Sequence, residues 1–314
     1  MSSSAKPESA SPAPSRRDRR VVKKVPFLTL WRFGSLPPWE LVSGSSRSFR
    51  KNQLDARSAQ FAFFSILALA PFLIVVIASV ARMPLDGVLA SFLDALNEGL
   101  PENVVALLER QILDIQQQSS IGLISVGLFL LTMAGSRIFL TLGAGLDAVW
   151  GVDYRRRYLR ARALAALMTF GVLLLLLVSM IVLVVGPMVA GFLTRWIDVP
   201  WVSVLMSDGV RWGVACGFML IATSVIYWAI PSVRLPWYWF SPGSVFATLG
   251  WVVVTQGFRF YVENFAHYNE TYGALGGVVV LMIWLYLTGA VLLMGGQINC
   301  VVYEAVEAHD TTSR

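Results

Sequence analysis

Long apolar runs constrain the fold of this chain more than any other feature of its sequence. A bilayer core about 30 Å thick needs roughly 20 apolar residues in a helix that rises 1.5 Å per residue. Two runs are interrupted by one arginine each, Arg137 and Arg259, and the others are free of charge inside the bilayer core. We therefore predict an all-α, polytopic membrane protein with six transmembrane helices, at about 61–81, 121–141, 163–186, 211–230, 243–262 and 273–296.

The composition excludes an ordinary soluble domain. Of the 314 residues, 56% are hydrophobic and only 14% are charged, and the mean hydropathy is +0.65. Soluble domains carry about a quarter charged residues, which cover their surface. A pI near 9.5 could indicate a nucleic-acid partner. The positions of the basic residues along the chain instead indicate how the protein is oriented in the membrane.

The basic residues predict the orientation in the membrane, because cytoplasmic loops hold an excess of lysine and arginine. Most of the 25 fall before the first span or in the run 155–162, which is predicted to set topology and could instead bind anionic lipid or nucleic acid. Only Arg82, Arg110, Arg195 and Arg211 fall on the outer side. We expect a bacterial inner-membrane protein with both termini in the cytoplasm and no specific nucleic-acid partner.

The sequence divides into one membrane domain and a tail at each end. Residues 1–35 are predicted to be a disordered basic cytoplasmic tail, 36–305 a single membrane domain, and 306–314 a short cytoplasmic tail. Within the domain, 37–60 mixes aromatic and basic residues, which is typical of an interfacial helix. The outer loop 82–120 has apolar residues at helical spacing and predicts two amphipathic helices between spans 1 and 2.

Charged residues inside spans are the first candidates for function, since each costs about 2.5–3.5 kcal/mol at a helix centre. Arg137 either snorkels to the cytoplasmic interface or pairs with a group such as Asp147 in a cavity. On the fifth span, Arg259 and Glu263 share one helix face. With Gln256 and Asn264 they form a polar patch that either lines a pathway or snorkels to the outer interface.

Other candidates concern gating or packing. Pro71 interrupts the first span and frees a backbone carbonyl that Ser65 could help to satisfy, so it marks either a gate or a packing bend. Gly273 with Gly277, next to Tyr272, presents a small-xxx-small face, as do Gly213 and Gly217. Such faces serve intramolecular packing or a homo-oligomer.

No motif of a phosphate loop, metalloprotease, nucleophile elbow or dinucleotide site occurs in the sequence. His267 and His309 are too few for a histidine-rich metal centre, and Cys216 and Cys300 lie in or beside apolar runs. The sequence therefore predicts no enzyme, no cofactor and no metal.

Residues 231–299 resemble the YihY/BrkB family of bacterial inner-membrane proteins. The landmarks are Pro231, Pro242, Gly243, Tyr261, Tyr268, Tyr272, Gly273, Trp284, Tyr286 and Gly295. The first span, FAFFSILALAPFL, is also similar, although six residues separate Ser65 from Pro71 where the family has a shorter spacing. The resemblance covers about residues 45–305 and implies six spans with cytoplasmic termini.

The resemblance implies no settled activity. The name ribonuclease BN has been attached to the family, but a metal-dependent nuclease needs converging histidines and aspartates that this chain lacks, so we disfavour it. Our hypothesis is a transporter or flippase-like protein for a lipid or other amphipathic anion, with membrane lipids as partners. The alternative is a non-transporting scaffold of the cell envelope.

Overall fold

The fold is helical throughout its regular structure. A computed structural model of the chain describes residues 27–31, 37–80, 121–152, 159–176, 208–265 and 269–312. The helices in these ranges are α1 (Phe27–Trp31), α2 (Pro38–Lys51), α3 (Leu54–Val80), α4 (Ile121–Val149), α5 (Leu159–Leu176), α6 (Asp208–Ala229), α7 (Pro242–Phe265) and α8 (Asn269–Thr312). The predicted all-α fold class is confirmed.

Five of the described helices are long and apolar enough to cross a membrane. Their candidate spans are Leu54–Val76, Ile124–Val149, Leu159–Leu176, Pro242–Val262 and Gly276–Ala308. Helix α6 contains a shorter apolar stretch, Ala215–Ala229. The polytopic membrane character is therefore confirmed, while the count of six spans stays a prediction.

Helix α8 is the centre of the packing. It contacts α1, α2, α3, α4 and α7, while α3 packs along α4 and α6 packs on α7. Leu54, Leu293 and Val302 are completely buried at these contacts. Because α8 is buried mainly in its second half, the core lies at the end of the bundle where α2, the start of α3 and the end of α4 meet.

Small residues allow the helices to approach closely, but at positions other than those predicted. A Cβ added to Gly145 would lie 2.6 Å from Leu293, and one added to Gly243 would overlap the carbonyl oxygen of Gly295. At Gly213, Gly217 and Gly277 an added Cβ would meet no atom within 4 Å. Among the described residues, these three glycines therefore make no close intramolecular contact, and their use in a homo-oligomer stays a prediction.

A tight elbow joins α2 to α3, which contains the first candidate span. Gln53 has a φ of 52°, in the left-handed region, and its backbone N–H donates to the carbonyl of Arg50 at 3.1 Å. The side chain of Asn52 donates to Oε1 of Gln297 on α8 at 3.1 Å. These bonds fix the orientation of α2 relative to α3.

The ends of the domain differ in detail from the sequence prediction. Residues 27–31, which lie in the predicted tail, form α1, and Leu30 is buried because α1 packs on α8. Helix α8 continues to Thr312, through residues assigned to the short C-terminal tail. The predicted amphipathic helices of 82–120 lie outside the described residues.

Candidate functional site

A central apolar cavity lies among helices α3 to α8. Its volume is about 410 Å³, and no charged side chain of the described residues lines it. Ser65, Thr169, Thr223 and Thr288 supply hydroxyl groups. Two of these groups bond to their own helices, Thr169 to the carbonyl of Ala165 at 2.9 Å and Thr223 to that of Met219 at 2.9 Å. The cavity therefore suits hydrocarbon better than a hydrated ion.

A second, open groove runs along the other side of the α3–α4 pair, and we call it the arginine groove. Its volume is about 680 Å³. Phe63 is 56% exposed and contacts Phe64 edge to face, with ring centroids 5.4 Å apart. The groove thus combines cationic and aromatic side chains, and its lining is Arg57, Ala59, Gln60, Phe63, Phe64, Arg137, Leu140, Thr141 and Ala144.

Arg137 lies at the deep end of the arginine groove. Gly145 is level with Arg57, since a Cβ on Gly145 would lie 3.3 Å from the Cδ of Arg57. Arg137 precedes Gly145 by eight residues, so its Cα lies about 12 Å further into the span. The side chain is exposed, and within the described ranges it has no hydrogen-bond or ion-pair partner. A charge at this depth of a membrane-spanning helix is costly unless it finds an anion or reaches an interface.

Asp147 lies elsewhere, at the end of α4. It is ten residues from Arg137, about 15 Å along the axis, which exceeds the reach of the two side chains. The helix ends in a Schellman motif at Gly151, with a φ of 60°, where the Val152 N–H donates to the carbonyl of Asp147 at 3.0 Å. The pairing of Arg137 with Asp147 that the sequence left open is therefore not made.

The carboxylate of Asp147 instead binds the loop between α6 and α7. Its Oδ1 accepts the Ser232 backbone N–H at 2.6 Å and its Oδ2 accepts the Ser232 hydroxyl at 2.8 Å. An anion at a helix C-terminus is unfavourable with respect to the helix dipole, so these two donors offset that cost. Asp147 also lines a cavity of about 310 Å³ between α4, α5 and this loop.

A buried polar cluster joins the start of α7 to α8. Ser241 and Ser244 cap each other, with the Ser244 N–H donating to Ser241 Oγ at 3.1 Å and the Ser241 N–H donating to Ser244 Oγ at 2.9 Å. Asn299 on α8 accepts the Gly243 N–H at 2.8 Å and donates to Ser241 Oγ at 3.0 Å. Every member is bonded, which is the condition for a stable buried polar network.

The predicted patch on the fifth span is described only in part. Gln256 and Arg259 are exposed on α7, and neither lines the central cavity or the arginine groove. The side chains of Glu263 and Asn264 lie outside the described residues. The role of this patch stays a prediction.

The gating and packing candidates have separate places. Ser65 lines the central cavity, and α3 continues as a helix through Pro71, which is buried. The surroundings of Tyr272 and Gly273 are outside what the structure describes, and Gly277 is exposed. Of the members of this group that the structure describes, only Ser65 lines one of these cavities.

Sequence reasoning missed three polar members of the groove, Arg57, Gln60 and Thr141. Arg57 was counted only as a basic residue of the interfacial segment and as a topology-setting charge. A usable signal was present, because residues at i, i+3 and i+7 share one face of a helix and place Arg57, Gln60 and Phe64 together. Which partner helix meets that face depends on tertiary packing.

Comparison with known proteins places the chain among bacterial membrane proteins. The family model described as Virulence factor BrkB matches residues 45–314. The ribonuclease-like protein YfkH of Bacillus subtilis is 29% identical over 256 residues, which cover 82% of this chain and 92% of that protein. No solved structure matches.

Relatives named only as membrane proteins of the UPF0761 group are also similar. The Tolumonas auensis protein is 23% identical over 81% of this chain and 82% of its own length. The Nitrosospira multiformis protein Nmul_A0452 is 24% identical over 75% of this chain but only 54% of its own length. The match therefore spans about half the length of this last relative.

Proposed function

Starting from the premise that this chain belongs to the Virulence factor BrkB family of membrane proteins, we propose that it is a transporter or flippase-like protein for a lipid or other amphipathic anion. One observation carries the proposal. Arg137 is exposed well inside the α4 span, in a groove that it shares with Arg57 and with exposed aromatic side chains. The two arginines suit the head of an amphipathic anion, and the aromatic side chains suit its tail.

The central cavity supports the same proposal. The groove and the cavity lie on opposite sides of one helix pair, with Gln60 and Phe64 facing the groove while Phe61 and Ser65 face the cavity. Movement of α3 relative to α4 would change both spaces together. A polar head could then bind in the groove and an apolar tail in the cavity, on opposite sides of the α3–α4 contact.

The ribonuclease-like name of the Bacillus subtilis relative is not extended to this chain. Hydrolysis of RNA by metal ions needs several carboxylates or histidines on one site. Within the ranges that the structure describes, no three such groups come together. We place the protein in the bacterial inner membrane with both termini in the cytoplasm, which is the orientation that puts Arg57 near the cytoplasmic leaflet.

The test is lipid movement between leaflets of vesicles that contain the purified protein. We expect a fluorescent anionic lipid to change leaflet faster than in protein-free vesicles, and Arg137→Ala to lose most of that rate. The matched control is Arg234→Ala, which removes an exposed arginine of the α6–α7 loop and should keep the rate.

The alternative of a non-transporting scaffold gives a different result. In that case wild-type vesicles and protein-free vesicles would show equal rates with every lipid and amphipathic anion tried. Equal rates for wild type and Arg137→Ala, both above the protein-free value, would show that Arg137 and its groove are not needed for lipid movement.

A further inference from the structure

The turn of α4 that carries Arg137 also receives a second arginine. Nη2 of Arg162, on α5, lies 3.5 Å from the backbone carbonyl oxygen of Met133. In a regular α-helix that oxygen accepts the N–H four residues later, which is that of Arg137. Nη2 of Arg162 therefore lies within roughly 7 Å of the Arg137 backbone nitrogen. We call Arg137 and Arg162 the arginine pair.

The guanidinium group of Arg162 does not make all the hydrogen bonds that it could make. Its Nη1 is buried and has no hydrogen-bond partner in the ranges that the structure describes, and its contact with Met133 is at the outer limit of a hydrogen bond. A buried guanidinium N–H without an acceptor is costly. An anion at this turn would supply the missing acceptor after a small rotation of a flexible side chain.

The two positive charges at this turn can be compared with the charge of different phosphate groups. No carboxylate lines the arginine groove within the described residues. A phosphodiester head carries about one negative charge, whereas a terminal phosphate carries roughly 1.5 to 2 at neutral pH and offers three acceptor oxygens. Two guanidinium groups, each able to bind phosphate through two N–H groups, match the terminal phosphate better.

We propose that the arginine pair binds the terminal phosphate of a lipid whose tail lies along Phe63 and Phe64 in the arginine groove. Phe63 and Phe64 follow Arg57 by six and seven residues, so they lie about level with Arg137 and give the groove an apolar wall beside the cationic turn. Thr141 adds a hydroxyl donor. This inference names the substrate class at the proposed transport site and in that respect rests on the proposed function. Binding can nevertheless be measured without transport.

The experiment compares phosphatidic acid with phosphatidylglycerol, each as a minor component of phosphatidylcholine nanodiscs that hold the full chain. We expect phosphatidic acid to bind about tenfold more tightly, by native mass spectrometry and by the rise in melting temperature. Arg137→Ala and Arg162→Ala should each weaken its binding about 10- to 100-fold. Arg162→Lys, which keeps the charge but not the paired N–H groups, should recover only part of the preference.

Arg160→Ala is the matched control, because it removes an exposed arginine from the same end of α5 and should keep the preference. Equal binding of the two lipids, or unchanged preference in both alanine variants, would overturn the inference. Inorganic phosphate that protects as well as phosphatidic acid would also overturn it, since the ligand would then be a free anion.

The same preparations, moved into vesicles, separate this inference from the proposed function. Selective binding without lipid movement upholds the phosphate site and removes the transport role. Lipid movement without selectivity upholds transport and removes the phosphate site.

Discussion

At the scale of single residues, the polar groups of this protein divide into those that hold the fold together and those that face a groove. Asp147 and Asn299 belong to the first kind, since each bonds to a segment distant in sequence. Arg137 belongs to the second kind, because it is exposed and its neighbours in the groove are Gln60 and Thr141. Substitutions should therefore affect stability at the first two positions and ligand handling at the third.

The bond between Asp147 and the α6–α7 loop can be measured by a double-mutant cycle. We expect Asp147→Asn to lower the free energy of unfolding by about 1.5–3 kcal/mol, because a charge-assisted acceptor is lost. Ser232→Ala removes the hydroxyl donor, and the double variant should show a coupling of about 0.5–3 kcal/mol. Melting in detergent provides the measurement, and additive effects would show that the two side chains do not interact.

At the scale of helices, the α7–α8 contact depends on the absence of side chains. The backbone of Gly243 meets that of Gly295, next to the capped start of α7. Helices packed this closely gain van der Waals contact, which is the main attraction between helices in lipid. The two helices should therefore behave as one rigid unit at this end.

Substitution of Gly243 tests this close contact. In Gly243→Ala the new methyl would overlap the Gly295 carbonyl and the side chain of Asn299, so the helices must separate. We expect a loss of about 1–3 kcal/mol in the free energy of unfolding, read from the melting temperature. The matched control is Gly257→Ala on the same helix, where the methyl would meet nothing within 4 Å and stability should stay equal or rise.

The elbow between α2 and α3 gives a prediction of the opposite sign. Gln53 adopts a left-handed conformation that glycine reaches without steric cost. Gln53→Gly should therefore raise the free energy of unfolding by up to about 1 kcal/mol. A lower melting temperature for this variant would mean that the side chain of Gln53 contributes more than its backbone costs.

The helices could be predicted from the sequence, but their partners could not. Apolar runs located every long described helix, because bilayer thickness fixes the length of a span. The small-xxx-small spacing of Gly213 and Gly277 did not say which face meets a neighbour, and an added Cβ at either glycine meets no atom of the described residues within 4 Å. Arg57 and Arg162 were counted only as basic residues before spans, yet both lie inside candidate spans of the described helices. Arg57 reaches the groove, and Arg162 reaches the turn of Arg137, only when α3, α4 and α5 pack together.

At the scale of the whole molecule, the number of spans decides where each loop faces. Helix α6 has 22 residues, so it is about 33 Å long and can cross a bilayer core only if nearly its full length is used. Its apolar part, Ala215–Ala229, covers only about 22 Å of that. The polar start of α6 must then lie at the membrane surface for the six-span arrangement to hold.

Cysteine labelling tests this arrangement directly. In a background with Cys216 and Cys300 replaced by alanine, we expect Asp208→Cys to react with an impermeant reagent from the outer side and Arg234→Cys from the cytoplasmic side. The reason is that α6 separates the two positions across the bilayer. Labelling of both from one side would contradict the six-span topology, and tags at the two termini provide an independent check of orientation.

The arginine groove opens at the outside of a helix pair instead of into a closed chamber. A molecule held there by its phosphate would leave its chains among the neighbouring lipids, so the protein would recognise one end of the molecule and ignore the length and unsaturation of the other. Selection would then be strict for chemistry at the head and permissive for the fatty-acid mixture that a bacterium adjusts with growth temperature.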